Sequence, residues 1–235
     1  MDFEQRIENL YRAVLRPGDR AVDCGAHAGR HTIAMARAVG PTGQVLAFEP
    51  LPEAYGRLLG NLASAGLRNV TAVNRALGAE ASTVPFVHVL GNPGFSGFRE
   101  RVYPDPVTAR EIVDVEVQRL DDVAEGRAIR FIKVDVEGGD LLVLRGARAT
   151  IGAARPFVTF ELGDNSIARY DYTAADYFDF FAALDYDLFS VAGEPLDRDG
   201  LVESSRRQAV WDYVAVPRER GVTPAMLEAL RAPAR

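Results

Sequence analysis

Two acidic residues stand two positions apart, directly after a short and mostly apolar run. Asp135 and Glu137 follow residues 130–134 and precede Gly138. A carboxylate at the end of a buried strand can accept a proton from a reacting group or a hydrogen bond from a ligand. The pair would also suit a helix cap and a first-turn acid. We predict a catalytic role for Asp135 first, with Glu137 behind it.

An acid also precedes a glycine turn earlier in the chain. The turn reads Asp23-Cys24-Gly25-Ala26-His27-Ala28-Gly29, so its glycines are spaced G-x-x-x-G. A dinucleotide site would carry G-x-G-x-x-G for its pyrophosphate. The observed spacing, with an acid in front, favours a ligand that carries an ammonium group, and a plain strand-to-helix turn is the alternative.

Glu49 and the residues around position 75 extend this site. Glu49 lies 49 − 25 = 24 positions beyond Gly25 and ends the next apolar run. An acid at that place binds a ribose diol through paired hydrogen bonds. After the third apolar run, Asn74 could hydrogen-bond to an adenine ring and Ala76 could pack on the face of that ring. The alternative is that Asn74 has only a structural role in a turn. Together the turns predict an adenosine-containing cofactor.

The remaining polar candidates are weaker. Glu161 is a third acid after a strand, and with Asp135 and Glu137 it could hold a divalent ion. The three lack a convincing ligand spacing, so we predict no metal. His31, in the first turn of a helix, is a third candidate base. Cys24 lies inside a strand without an evident histidine partner, which argues against a nucleophile.

Strands and helices alternate along the chain, which predicts a mostly parallel sheet covered on both faces. Residues 2–15 form an apolar stripe typical of an amphipathic helix, capped by Asp2 and ended by Pro17-Gly18. We predict core strands at 21–24, 44–48, 70–73, 130–134, 157–160, 188–191 and 213–216, and helices at 29–39, 52–65, 140–150 and 174–184. Residues 84–89 and 113–118 suggest an edge hairpin. The last two strands lack a clear intervening helix and should pair antiparallel.

Composition excludes several classes of protein. The 235 residues carry a net charge of −6, which disfavours nucleic-acid binding because that needs a basic field. Apolar runs are too short for a membrane span, and the charged start has no signal-peptide core. A single cysteine suits a reducing compartment. We therefore expect a cytoplasmic protein without membrane contact.

Several motifs resemble the FkbM family of S-adenosylmethionine-dependent methyltransferases. They are VDCGAHAGRHT (22–32), LAFEPLPEAYGRLLGNL (46–62), NRALG (74–78), FIKVDVEGGDLLVLRGA (131–147), RPFVTFE (155–161) and WDYVAVP (211–217). The block around Asp135 is the most specific of them. Two positions depart from the family, which commonly has asparagine at His27 and an aromatic residue at His31.

The resemblance implies a single Rossmann-like class I methyltransferase domain. It implies about seven strands in a mostly parallel sheet, the last inserted antiparallel, with helices on both faces and a short N-terminal helix. We expect an N-terminal helix at 1–19, the methyltransferase domain at 20–217 and a C-terminal helix or tail at 218–235. The expected S-adenosylmethionine contacts are Asp23, Gly25, His27, Gly29, Thr32, Glu49, Pro50, Asn74, Ala76 and Asp135.

The family resemblance implies O-methylation of a hydroxyl on a natural product or sugar. We expect the long segment 91–112 to bind the acceptor, and residues 163–172 and 193–208 to form further walls of the acceptor site. Four aromatic residues could stack on a ring of the acceptor, with core packing as the alternative for each: Phe95, Phe98, Tyr170 and Tyr172. Two alternatives stay open: a nicotinamide-dependent oxidoreductase, and a non-catalytic S-adenosylmethionine-binding partner in a biosynthetic complex. A homodimer is also conceivable.

Overall fold

A computed structural model describes residues 2–102, 109–124 and 126–231. Its helices are α1 (Phe3–Val14), α2 (Arg30–Val39), α3 (Pro52–Ser64), α4 (Leu120–Ala124), α5 (Asp140–Gly146), α6 (Arg148–Ala154), α7 (Asp164–Ile167), α8 (Ala174–Ala182), α9 (Arg198–Arg207) and α10 (Pro224–Arg231), with a 3₁₀ turn at Pro93–Phe95. Its strands are β1 (Arg20–Cys24), β2 (Gln44–Phe48), β3 (Val70–Val73), β4 (Ala76–Leu77), β5 (Ser82–Val89), β6 (Arg110–Gln118), β7 (Phe131–Val134), β8 (Phe157–Glu161), β9 (Tyr186–Ser190), β10 (Pro195–Leu196) and β11 (Asp212–Pro217).

The main sheet has the order β10-β9-β11-β8-β7-β1-β2-β3 in the described chain. The strands from β8 to β3 run parallel, and β11 lies antiparallel between β8 and β9. The predicted mostly parallel sheet with an inserted antiparallel strand is thus confirmed, with the two-residue β10 added at one edge. Because β7, β1 and β2 are parallel neighbours, their carboxyl ends open at one edge of the sheet.

Helices cover both faces of the sheet because strand side chains alternate. In β1, Val22 and Cys24 pack into the larger core with α5, α6 and α8, while Ala21 packs on the other side with α1, α2 and α10. On α1, the predicted stripe is buried at Ile7, Leu10, Tyr11 and Val14, and Asp2 caps the helix by accepting from the Gln5 amide. Of the described helices, none is long and apolar enough to cross a membrane.

Two expectations about single elements are wrong, and a third is confirmed only in part. The predicted edge hairpin is antiparallel as expected, but β5 and β6 join β4 in a separate sheet of order β4-β6-β5. The predicted helix 140–150 is two helices, because Ala147 leaves helical geometry between α5 and α6. Helix α9 lies between β9 and β11, where no helix was expected, since its sequence is mainly polar and only Leu201 and Ser205 are buried.

Segment 91–112, predicted to grip the acceptor, is described only in part, since residues 103–108 lie outside the described residues. Of the remainder, 93–95 form the 3₁₀ turn and 110–112 begin β6. Gly97 pairs with Val87, so this end of the segment is attached to the small sheet.

Gly146 sets the distance between α5 and the small sheet. A Cβ at this position would lie 1.9 Å from the carbonyl oxygen of Gly78, which follows β4. Gly146→Ala should therefore force the two backbones apart and lower the free energy of unfolding by ~1–3 kcal/mol or more. A Cβ built at Gly60, on α3, would meet nothing within 4 Å. Gly60→Ala should therefore raise the free energy of unfolding by ~0.5–1 kcal/mol. Urea unfolding of both variants measures this, and a Gly146→Ala protein as stable as wild type would contradict the close contact.

Candidate functional site

A cavity of about 910 Å³ opens at the carboxyl ends of the central strands, and we call it the strand-end cavity. Its walls come from the turns after β1, β2, β7 and β8, from the small sheet and from the start of α1. Among the predicted catalytic and cofactor-binding residues, those that line it are Asp23, Gly25, His27, His31, Glu49, Pro50, Ala76, Asp135 and Glu137. Gly29, Thr32 and Asn74 do not line it.

The glycine turn is held tightly against the turn after β7. Gly25 has φ of 82°, and a Cβ there would lie 1.9 Å from the carbonyl oxygen of Asp135. His27 also adopts a left-handed conformation, with φ of 46°. Gly29, at φ of 90°, precedes α2 and packs against Leu58. The backbone at this turn therefore depends on glycine at Gly25 and Gly29.

Glu49 is buried and fixed by two backbone amides. One carboxylate oxygen accepts from the His27 amide at 2.8 Å, and the other accepts from the Leu51 amide at 2.9 Å. Burial raises the pKa of its carboxyl group, while these two hydrogen bonds oppose the shift. Each oxygen retains a further lone pair toward the cavity that Glu49 lines.

Asn74 lies outside the strand-end cavity and stabilises the turn after β2 that carries Glu49. Its side-chain amide donates to the carbonyl oxygens of Glu49 and Pro50, both at 2.9 Å. Since Asn74 does not line the strand-end cavity, its expected contact with an adenine ring stays a prediction. Ala76 does line the cavity.

Asp23 presents one unsatisfied oxygen. Its Oδ2 accepts from the Thr32 hydroxyl at 2.5 Å, so Thr32 acts from outside the cavity. Its Oδ1 is buried and has no hydrogen-bond partner among the described residues. A buried carboxylate oxygen without a partner is costly unless a ligand supplies a donor.

Lys133 is the functional residue that the sequence reasoning missed. It is only 2% exposed, lines the strand-end cavity, and donates from Nζ to Asp135 Oδ2 at 2.9 Å. Its Nζ lies 4.0 Å from Asp23 Oδ1. Burial alone would lower the pKa of this ammonium, but Asp135 and Asp23 outweigh burial and raise it. The available signal was a charged residue inside an apolar strand, two positions before Asp135.

Three carboxylates gather at the mouth of the cavity. One oxygen each from Asp135, Glu137 and Glu161 lies within 4.8 Å of the others. Glu137, at φ of 56°, is ion-paired with Arg101, whose guanidinium lies over the Phe95 ring at 4.9 Å. Geometry alone would allow a cation here, but Arg101 already supplies a positive charge to Glu137.

Burial and mutual repulsion raise the carboxyl pKa of several of these acids. Burial, then repulsion from Asp135, raises the pKa of Glu161 well above its usual range, and the same holds for Asp212 beside it. Behind them, Asp140 is fully buried and accepts from the Glu161 amide at 3.0 Å. Burial raises the pKa of Asp140 to about 7.

Helix α1 forms one rim of the cavity, which the sequence reasoning did not anticipate. Asp2, Phe3 and Glu4 line it, and Glu4 is ion-paired with His31. His31 Nδ1 lies 3.3 Å from the Tyr11 hydroxyl. The hydrogen bond to His31 lowers the pKa of Glu4 to about 2. His31 therefore faces the cavity with both ring nitrogens engaged by α1.

Comparison with known proteins shows which family the chain belongs to. The model of the "Methyltransferase FkbM domain" matches residues 23–188, from Asp23 in β1 to Leu188 in β9. The chain belongs to the FkbM methyltransferase family. This match includes the glycine turn, Glu49, Lys133 and the acids at the cavity mouth.

Two fungal relatives and one solved structure resemble the chain. Methyltransferase sdnD of Sordaria araneosa is 35% identical over 153 residues, which are 53% of this chain and 59% of that protein. Methyltransferase 1 of Beauveria bassiana is 29% identical over 158 residues, which are 60% of this chain and 63% of that protein. The matched part thus spans about three fifths of each relative. The FkbM methyltransferase structure from Methylobacillus flagellatus has a TM-score of 0.50 at 20% identity, covering 87% of this chain and 48% of that one, and supports the fold alone.

S-adenosylmethionine is the cofactor of this FkbM domain, and the cavity residues fit it. Asp23 Oδ1, which has no hydrogen-bond partner among the described residues, would accept from the cofactor's ammonium group. Glu49 would hold the ribose diol through its free lone pairs. Asp23, Asp135 and Lys133 together carry one net negative charge, which complements a cationic cofactor in a buried site. A volume of about 910 Å³ is ample for a molecule of this size.

Glu49→Ala should weaken S-adenosylhomocysteine binding at least about tenfold, because charge-assisted hydrogen bonds to the ribose are lost. Isothermal titration calorimetry measures the dissociation constant. Glu53→Ala, which removes an exposed carboxylate paired with Arg57 on α3, is the matched control and should bind as wild type does.

Glu49 also accepts two backbone amides, so the alanine variant should unfold at a lower temperature than wild type. Glu49→Gln keeps one acceptor oxygen and separates the two effects, since it should recover stability more than affinity. Wild-type affinity in a folded Glu49→Ala protein would remove Glu49 from the cofactor site.

Proposed function

We propose that this protein is an S-adenosylmethionine-dependent methyltransferase that methylates a hydroxyl oxygen of a small molecule, a natural product or a sugar. The observation that carries the proposal is the carboxylate of Asp135, which lines the strand-end cavity and is held by Lys133. Membership of the FkbM family and the methyltransferase relatives support methyl transfer. The proposal that the acceptor is a hydroxyl rests on the acids at the cavity mouth, because a carboxylate can accept the proton that a hydroxyl loses.

Bound in the strand-end cavity, S-adenosylmethionine supplies an activated methyl group. The chain's task is then to position the acceptor, which is worth up to ~7–11 kcal/mol in favourable cases. Asp135 is our first candidate to orient the acceptor hydroxyl and to accept its proton, a contribution of typically ~100–10,000-fold. Lys133 fixes the Asp135 carboxylate in place through the hydrogen bond to Oδ2.

Glu137 and His31 rank behind Asp135 for a physical reason. Glu137 is ion-paired with Arg101, and His31 is ion-paired with Glu4. Each side chain would have to leave its charged partner before it could accept the proton of the acceptor hydroxyl. In contrast, Asp135 retains its second carboxylate oxygen outside the Lys133 hydrogen bond.

The test of the proposed function begins with calorimetric titration of S-adenosylmethionine and of NAD. The protein is then incubated with S-adenosylmethionine and a panel of hydroxylated sugars and phenolic natural products. The readouts are S-adenosylhomocysteine release and a mass gain of one methylene in the acceptor. Tight binding of NAD alone would favour the oxidoreductase alternative. Cofactor binding without turnover on any acceptor would favour the non-catalytic alternative.

Asp135→Asn should keep the shape of the site but remove its charge and basicity. If Asp135 accepts the proton, the turnover number should fall ~100-fold or more while cofactor affinity changes little. Single-turnover rates at saturating cofactor measure the chemical step. The control is Asp114→Asn, an exposed position on β6. A wild-type single-turnover rate in Asp135→Asn would transfer the role to Glu137 or His31.

Methyl transfer should survive chelation of divalent ions, because Arg101 supplies the positive charge beside Glu137 and the three acids lack a ligand-like sequence spacing. Activity is measured after EDTA treatment and again after adding magnesium. Complete loss with EDTA and recovery with magnesium would show instead that Asp135, Glu137 and Glu161 hold a metal.

A further inference from the structure

A second cavity of about 850 Å³, the side cavity, lies beside the strand-end cavity. Its walls come from β5 and β6 of the small sheet, from residues 98–100, from α5 and from residues 169–172 after α7. Asp135, Glu137 and Glu161 do not line it. The side cavity is therefore a separate space from the one that fits the cofactor.

Phe98 is the wall that the two cavities share. Its ring packs edge-on against Phe86 at 5.5 Å, and a Cβ at Gly139 would lie 2.9 Å from its Cδ2. Gly139 belongs to the turn after β7 that carries Asp135 and Glu137. A molecule in the side cavity that reaches past Phe98 would arrive at these acids.

Three arginines line the side cavity: Arg99, Arg145 and Arg169. Across residues 2–102, 109–124 and 126–231, none of the three is ion-paired with a carboxylate. All three side chains are exposed, so their guanidinium donors are open to a ligand as well as to solvent. Guanidinium groups bind carboxylate and phosphate oxygens in paired hydrogen bonds.

Aromatic rings stand next to these arginines. Tyr170 and Tyr172 stack with their ring centroids 5.0 Å apart, and the Arg145 guanidinium lies 5.6 Å from the Tyr172 ring. The Tyr170 hydroxyl is buried beside the Arg99 backbone and makes no hydrogen bond of normal geometry within the described part of the chain. A buried hydroxyl of this kind is satisfied when a ligand supplies the partner.

We propose that the side cavity binds the methyl acceptor, and that the acceptor is a ring-bearing molecule with a carboxylate or phosphate group. The arginines hold the anionic group, the tyrosines contact the ring, and the hydroxyl to be methylated passes Phe98 toward Asp135. Glu80, Glu100 and Asp171 also line the cavity, so acids and arginines are equal in number there, which favours one anionic group and hydroxyls over a polyanion. The inference rests on the proposed methyltransferase function.

The test uses the full chain saturated with S-adenosylhomocysteine. Calorimetry compares two anionic probes, glucuronate and phenyl phosphate, with their neutral counterparts, methyl glucoside and phenol, and with inorganic phosphate. At least one anionic ring should bind about tenfold or more tightly than its neutral counterpart. Preference for glucuronate indicates a carboxylate acceptor, and preference for phenyl phosphate indicates a phosphorylated one.

The double variant Arg145→Ala/Arg169→Ala should weaken the anionic probe about tenfold and leave S-adenosylhomocysteine affinity unchanged. The matched control is Arg206→Ala/Arg207→Ala on α9, where both arginines pair with Glu203 outside the cavity. It should bind every probe as wild type does. Tyr170→Phe should also weaken the probe, because it removes only the hydroxyl.

Three results would overturn the inference. They are the failure of both anionic rings to bind a protein that binds S-adenosylhomocysteine, equal binding of charged and neutral probes, and equal loss in the control variant. The first of these leaves the proposed function intact. A wild-type protein that binds neither S-adenosylmethionine nor S-adenosylhomocysteine would instead overturn the proposed function itself.

Discussion

The buried ammonium of Lys133 joins the two carboxylates around which the strand-end cavity is built. It lies on β7, bonds to Asp135 at the end of its own strand and faces Asp23 on the neighbouring β1. A buried charge is tolerated only when it is paired, and removing one partner leaves the other uncompensated. Because the two acids outnumber the one lysine, the cluster retains a negative charge that a cationic cofactor can neutralise. The same interaction therefore fixes the two carboxylates in place and leaves a formal negative charge between β1 and β7.

A second group of acids lies near the mouth of the strand-end cavity, and the pKa values of these acids are raised. Asp140, Glu161 and Asp212 have raised carboxyl pKa values, mainly because burial penalises their charged forms. A carboxyl group with a raised folded-state pKa stabilises the fold most below its usual pKa, and that stability is lost as pH rises through the folded value. For Asp140 this window extends from its usual range to about 7. The stability that the protonated Asp140 carboxyl contributes is therefore lost as the pH rises toward about 7.

Local sequence could predict the elements and the polar ends of the strands, since both depend on periodicity and order along the chain. Asp23, Glu49 and Asp135 follow from their positions after apolar runs. The partners that define their chemistry come from distant segments. Arg101 meets Glu137 and Glu4 meets His31 only through the tertiary fold. Lys133 was overlooked because an apolar strand was expected to hold only packing residues.

The two sides of the site are built with different rigidity. On the cofactor side, Gly25 approaches the Asp135 carbonyl and Gly138 approaches the Ser166 carbonyl so closely that neither position admits a side chain. On the side proposed for the acceptor, residues 96–102 are held by the Gly97–Val87 pairing and by Arg101 on Glu137. A wall fixed by a few polar contacts can change its lining residues without disturbing the backbone contacts beneath it. Side chains on the proposed acceptor wall can therefore be replaced without disturbing the backbone contacts that shape the cofactor side.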